Sequence, residues 1–84
     1  MEIKWSSSAE EDLIFWQRHQ PAIVKRIQIL IDSIKKSPHR GIGKPEPLKG
    51  SLSGCWSRRI TLEHRLVYRV EGKTLFILQA RYHY

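Results

Sequence analysis

The sequence predicts an α+β fold, a twisted antiparallel β-sheet packed against an N-terminal helical hairpin. Three observations predict it: an apolar stripe of helical period from Ile23 to Ile34, three strand-like runs with short connections after residue 54, and a Pro- and Gly-rich stretch between them. At 84 residues and 40% hydrophobic content the chain has material for one core and not two, so residues 1–84 read as a single domain.

Residues 2–5 (Glu2, Ile3, Lys4, Trp5) alternate polar and apolar, which suits a short strand. The run Ser6, Ser7, Ser8 ends it, and Ser8 with Glu11 has the S-x-x-E spacing of a capping box. A first helix follows with Ala9, Leu13 and Trp16 on one face. Glu10, Glu11 and Asp12 fall in its first turn, where the helix dipole favours negative charge. Pro21 fits the first turn of a second helix, where its missing N–H would have no partner in any case. In that helix Ile23, Ile27, Leu30, Ile31 and Ile34 recur at i, i+4, i+7, i+8 and i+11; Lys35 and Lys36 suit its C-terminal end and Pro38 stops it.

From Ser37 to Gly54, Pro38, Gly41, Gly43, Pro45, Pro47, Gly50 and Gly54 exclude a long regular element, while Leu48 and Leu52 can pin the segment to the body as a structured loop. Cys55–Ile60, Arg65–Val70 and Thr74–Ala80 then read as strands, the last continuing through 81–84. Connections of four and three residues make them antiparallel neighbours. In the middle strand Leu66, Tyr68 and Val70 point one way and Arg65, Val67 and Arg69 the other. One sheet face should cover the helices and the other should stay open and partly basic. Trp5, Trp16 and Trp56 read as core residues.

The charge is uneven. Of the net +7, residues 1–20 carry −2 and residues 21–84 carry +9, so a polyanion is the natural partner of the middle and C-terminal parts. One cysteine excludes an internal disulfide. No apolar run approaches the roughly 20 residues of a membrane span, and no leader pattern opens the chain, so a cytoplasmic location without membrane contact is expected. No cofactor or metal is expected either: Cys55 is alone, His19, His39, His64 and His83 lack ligand spacing, and Glu46, Glu63 and Glu71 are well separated.

Metal-free cleavage of a phosphodiester needs an internal nucleophile, and RNA has one in its 2′-hydroxyl. The protein must supply a base for that hydroxyl, an acid for the departing 5′-oxygen and positive charge at the phosphate. Those residue types are present. Glu46 lies among eight basic residues between Lys35 and Arg65, held between Pro45 and Pro47, which stiffen the backbone on either side. Residue identity equally allows Glu46 to neutralise Lys44 or Lys49. His83 can both donate and accept a proton near neutrality. It stands in the run Arg81, Tyr82, His83, Tyr84, where rings able to stack on bases alternate with a cation and a proton carrier. Arg58, Arg59 and Arg65 flank one short turn, and their planar donors suit phosphate oxygens.

The motifs K-P-E-P-L-K, W-S-R-R-I-T, E-H-R-L-V-Y and the terminal R-Y-H-Y together resemble the YoeB toxins of bacterial type II toxin–antitoxin modules, within the RelE/ParE superfamily. The resemblance runs the length of the chain. It implies a fold like that of the small microbial ribonucleases, and a ribosome-dependent endoribonuclease that cuts mRNA in the decoding A site and thereby inhibits translation. On matching positions it implies Glu46 as general base, His83 as general acid, Arg65 at the charged phosphate, Tyr84 positioning the RNA, and Lys49 and Arg59 assisting. Lys44, Arg58, Arg81 and Tyr82 complete the expected RNA-contacting set. The implied partners are mRNA on the 30S subunit with its 16S rRNA, a YefM-like antitoxin with an acidic C-terminal segment, and a second copy of the chain. Gly50, Ser51, Cys55, Leu62 and Gln79 depart from the family pattern without removing a catalytic group. Two other functions fit the same charge pattern: a gyrase-inhibiting toxin of the same superfamily, and a basic RNA- or ribosome-binding module without catalysis.

Overall fold

The computed structural model describes residues 1–82. In chain order they form strand β1 (Glu2–Trp5), helix α1 (Ser7–His19), helix α2 (Pro21–Lys36), a two-residue strand β2 (Glu46–Pro47), a single 3₁₀ turn (Gly50–Leu52), and strands β3 (Trp56–Arg59), β4 (Arg65–Glu71) and β5 (Thr74–Gln79). The five strands make one sheet in the order β1-β5-β4-β3-β2. The expected α+β class and helical hairpin are both present. The sheet is mixed rather than wholly antiparallel, because β1 runs parallel to β5 at one edge, with Glu2 opposite Thr74 and Trp5 opposite Ile77.

The helix α2 stripe is buried as its spacing requires: Ile23, Ile27, Leu30, Ile31 and Ile34 all lie in the core with Ala9 and Trp16 of α1. Each such side chain contributes about 1.5–3 kcal/mol by leaving water. Pro21 occupies the first turn of α2 and Lys35 and Lys36 its last. Helix α1 begins two residues earlier than the capping-box spacing suggests. Ser6 is its N-cap and accepts the Ala9 N–H at 3.0 Å. The reason is tertiary: the same hydroxyl donates to the Leu78 carbonyl at 2.9 Å, fastening helix to sheet, which Ser8 could not do.

Leu66, Tyr68 and Val70 of β4 and Leu75 and Ile77 of β5 face the helices, as alternation predicts. A bulge between Val67 and Tyr68 then shifts the β4–β5 register, so that Val67 pairs with Gln79 and turns it to the opposite face. The strand stops at Gln79 and residues 81–82 bend away, so it does not continue through Arg81 and Tyr82. The outer face is not bare. Leu48, Cys55 and Val67, with Leu52 and Leu78, form a second small apolar cluster there, and the Leu48 N–H donates to the Cys55 carbonyl at 2.9 Å to close the loop. No helix among the described residues is long and apolar enough to cross a membrane.

Tyr68 is wholly buried, and its hydroxyl donates to the Pro38 carbonyl at 2.6 Å. Burial pushes its ionisation above the ordinary 10.0, with the hydrogen bond and charge of Arg58 pulling the other way. The stabilisation tied to the neutral phenol is therefore complete below the unfolded value near 10 and is lost as pH rises from there toward the folded value. Urea titrations between pH 9 and 11 should show a shallower alkaline decline in Tyr68→Phe than in the parent chain.

Candidate active site

Strand register assembles the candidate residues on the outer face. Glu46 is opposite Ser57, Ser57 opposite Val67 and Val67 opposite Gln79, a line across four strands. Two residues along β3 and β4, and so on the same face, Arg59 is directly opposite Arg65. Two like charges facing each other across a strand pair are unfavourable by themselves and favourable around a bound anion. Glu46, Arg59 and Arg65 thus share the outer face, beside its small apolar cluster, with the exposed Lys44 and Lys49 on either side of Glu46 in the chain. No enclosed pocket is found among the described residues.

The presentation of Glu46 depends on two consecutive left-handed residues. Gly43 has φ +81° and Lys44 has φ +49°. At Gly43 an added Cβ would come within 2.8 Å of Leu30 Cδ2 and 3.3 Å of the Arg59 nitrogen, so only glycine fits. The Gly43 carbonyl accepts the Arg59 N–H at 2.7 Å, which sets the loop beside β3 and lets Glu46–Pro47 pair as an edge strand. A non-glycine residue held in this region is a strained position of the kind that clusters at functional sites.

Arg65 is steadied from its own turn: its Nη1 donates to the carbonyls of Thr61, Leu62 and His64 at 2.9, 3.0 and 3.2 Å. Arg69, on the same strand, is paired with Glu71 at 2.8 Å.

Arg58 does not belong with the phosphate-binding residues. It sits opposite Leu66, on the helix side of β3, and is 0% exposed. Its Nε donates to the Tyr68 hydroxyl, Nη1 to Ser33 Oγ and the Ile42 carbonyl, and Nη2 to the carbonyls of Ser37 and Arg40. The arginine expected to touch RNA is instead a buried strut between α2, the loop and the sheet. Arg81 is also engaged within the protein. Its guanidinium lies 3.5 Å from the Phe15 ring centre and 4.5 Å from that of Tyr82, and Nη2 donates to the Tyr82 hydroxyl.

The expected catalytic residues His83 and Tyr84 lie outside the described residues. The chain leading to them is tightly held. The Ala80 N–H donates to Asp12 Oδ2 and its carbonyl accepts from Trp16 Nε1, at 2.9 and 2.8 Å. The Tyr82 N–H donates to His64 Nδ1 and its carbonyl accepts the Arg65 N–H, at 2.7 and 3.0 Å. Sequence reasoning missed this role of Asp12, Trp16 and His64. A signal was available for Asp12, a carboxylate on the same helical face as Ala9 and Trp16, where a dipole role alone would not place it. Among the described residues no three His, Cys, Asp or Glu side chains converge to hold a metal ion.

A helical hairpin on one face of a five-stranded mixed sheet is the architecture this chain shares with solved bacterial toxins. The chain belongs to the family described as YoeB-like toxins of bacterial type II toxin–antitoxin systems, matching it over residues 5–84. It is 51% identical to Toxin YoeB of Escherichia coli K12 over 84 residues, all of both chains. A YoeB/ParE toxin structure from Agrobacterium tumefaciens superposes with a TM-score of 0.97 at 50% identity, covering 100% of each chain. The Staphylococcus aureus protein, solved as a YoeB–YefM complex and as a YoeB dimer, gives TM-scores of 0.92 and 0.94 at 44% identity, covering 100% of this chain and 98% of that one.

Proposed function

We propose that this toxin is an endoribonuclease that cuts mRNA in the decoding A site of the ribosome, using the RNA's own 2′-hydroxyl as nucleophile and no metal. Glu46 takes the 2′-hydroxyl proton. The 2′-oxygen forms a bond to phosphorus, the bond from phosphorus to the 5′-oxygen breaks, and His83 delivers a proton to that oxygen. The products are a 2′,3′-cyclic phosphate, which can open to a 3′-phosphate, and a 5′-hydroxyl. Arg65 and Arg59 stabilise the charge on the pentacoordinate phosphate, with Lys49 and Lys44 beside them, and Tyr84 positions the RNA. The observation that carries this reading is that one carboxylate, Glu46, shares the outer sheet face with the opposed Arg59–Arg65 pair.

The same face, where Lys44, Lys49, Arg59 and Arg65 gather, suits two anionic partners: the mRNA and 16S rRNA of the 30S A site, and the acidic C-terminal segment of a YefM-like antitoxin that would cover the site. Leu62, 83% exposed in the turn beside Arg65, offers an apolar anchor for the antitoxin or for a second copy of the chain. The action is placed in the cytoplasm, where ribosomes translate.

The test is a brief pulse of the protein in a translating extract, followed by mapping of RNA ends. New 5′-hydroxyl ends within the A-site codon are expected. Ribosome binding without new ends would replace this reading with a non-catalytic binding module, and lost DNA supercoiling with intact mRNA would replace it with gyrase inhibition.

A further inference from the structure

His83 is joined by one peptide bond to Tyr82, and Tyr82 has an unusual backbone. Its φ is +61°, a left-handed conformation that few non-glycine residues adopt. A non-glycine residue in that region is strained and persists only where its surroundings hold it. Two hydrogen bonds hold it: the carbonyl accepts the Arg65 N–H at 3.0 Å and the N–H donates to His64 Nδ1 at 2.7 Å. Any residue at position 65 except proline could supply the first. The second needs the side chain of His64. A backbone N–H can only donate, so Nδ1 carries no proton and the imidazole is the neutral tautomer with its hydrogen on Nε2.

The ring is itself fixed. It meets Trp16 edge-on, with centroids 4.8 Å apart and an interplanar angle of 79°, and Trp16 is pinned through Nε1 to the Ala80 carbonyl. The His64 N–H donates to Thr61 Oγ1 at 3.1 Å, which sets the turn from which the ring projects. An acceptor on a rigid support, aimed at the amide of a strained residue, is what positioning the next residue requires.

We propose that His64 is a positioning residue of the active site: its neutral imidazole captures the Tyr82 amide and fixes the backbone from which His83 follows. The inference rests on the nuclease reading, in which His83 donates the proton to the leaving oxygen. His64 touches neither RNA nor the reacting atoms in this scheme, and acts through Tyr82.

Three chains test it. His64→Asn puts Oδ1 on the same γ carbon that bears Nδ1 and keeps an acceptor; His64→Phe keeps the ring against Trp16 and removes the acceptor; the parent chain is the reference. Amide hydrogen exchange at Tyr82 and single-turnover cleavage of ribosome-bound mRNA are measured on each, with thermal unfolding to establish folding. Tyr82 should exchange ~10-fold faster in His64→Phe, and the Asn variant should recover most of the protection. The maximal cleavage rate of His64→Phe should fall by roughly 10–100-fold with little change in half-saturation, because misplacement costs chemistry rather than binding, and Asn should restore most of it. A folded Phe variant with parental exchange or cleavage overturns the proposal, as does an Asn variant impaired as much as Phe. If Phe does not fold, His64→Gln, whose amide lies one atom further out, takes its place. Absence of cleavage by the parent chain would instead count against the nuclease reading, and the Tyr82 exchange would still decide whether the clamp exists.

Discussion

Replacing Glu46 by Gln is expected to reduce cleavage of ribosome-bound mRNA by at least ~100-fold, the ordinary contribution of a general base, with no loss of fold. Glu46 is exposed on a two-residue edge strand whose pairing with Ser57 and Trp56 uses backbone atoms, so the amide fits without disturbing the sheet. Gln retains the shape and some hydrogen bonding but cannot take a proton. Quantifying 5′-hydroxyl ends after a timed pulse gives the rate, and thermal unfolding of the same preparation gives the fold. Cleavage by Glu46→Gln within a few-fold of the parent would remove Glu46 from the chemistry. The contrast with Arg65 is informative. Arg65→Met should also lose cleavage, but its Nη1 holds three carbonyls of the 61–64 turn, so a lowered melting temperature should accompany the loss. A pure catalytic defect at 46 and a mixed one at 65 is the pattern this geometry produces.

What was legible in the sequence followed from periodicity. The α2 stripe, the alternation along β4 and the hinge between the helices are local patterns with one physical reading, and each appears where it was expected. The candidate site stood out for a different reason: a carboxylate fixed between two prolines in a basic stretch is chemically odd wherever it lies. What stayed hidden depends on partners far along the chain. The choice of Ser6 over Ser8 as the cap follows from the Leu78 carbonyl, 72 residues away. The parallel pairing of β1 with β5 is not encoded in alternation, which says which face a residue takes but not which strand it adjoins. Arg58 and Arg59 are indistinguishable as letters. Once β3 is registered against β4, Leu66 draws Arg58 to the helix side and Arg65 shares the open face with Arg59. His64 stood in a motif that carried the resemblance, yet its hydrogen bond to Tyr82 spans 18 residues and has no local signature.

Arg58 carries the largest expected effect on stability. It is a cation with no exposed surface, and its hydrogen bonds go to carbonyls and hydroxyls. Its charge is balanced by the C-terminal end of α2, where the last carbonyls carry partial negative charge; Ser37, to whose carbonyl it donates, is the C-cap residue. The remaining donors gather the Arg40 and Ile42 carbonyls, so one side chain fixes both the end of α2 and the loop that runs to Gly43, Lys44 and Glu46. Gly41 lies against the same knot, where an added Cβ would come within 2.5 Å of Ser33 Oγ. Arg58→Met, close in length and apolar, would fill the space and leave these acceptors buried without their donor. The cost of stranding them is expected to be about 3–5 kcal/mol, a large share of the stability of a domain this size. Urea unfolding should therefore show a markedly lower midpoint, and limited proteolysis should cut first between residues 37 and 45. Arg58→Lys keeps the charge but has three donors on one nitrogen, so it cannot reach acceptors spread over α2, the loop and Tyr68; it should recover only part of the loss. Equal stability of the Lys variant and the parent would mean that charge at the helix end, and not the planar fork, holds the loop. In that case the position of Glu46 would rest on the Gly43–Arg59 hydrogen bond together with the β2–β3 pairing, and Gly43→Ala rather than Arg58→Met would be the more damaging substitution for the site.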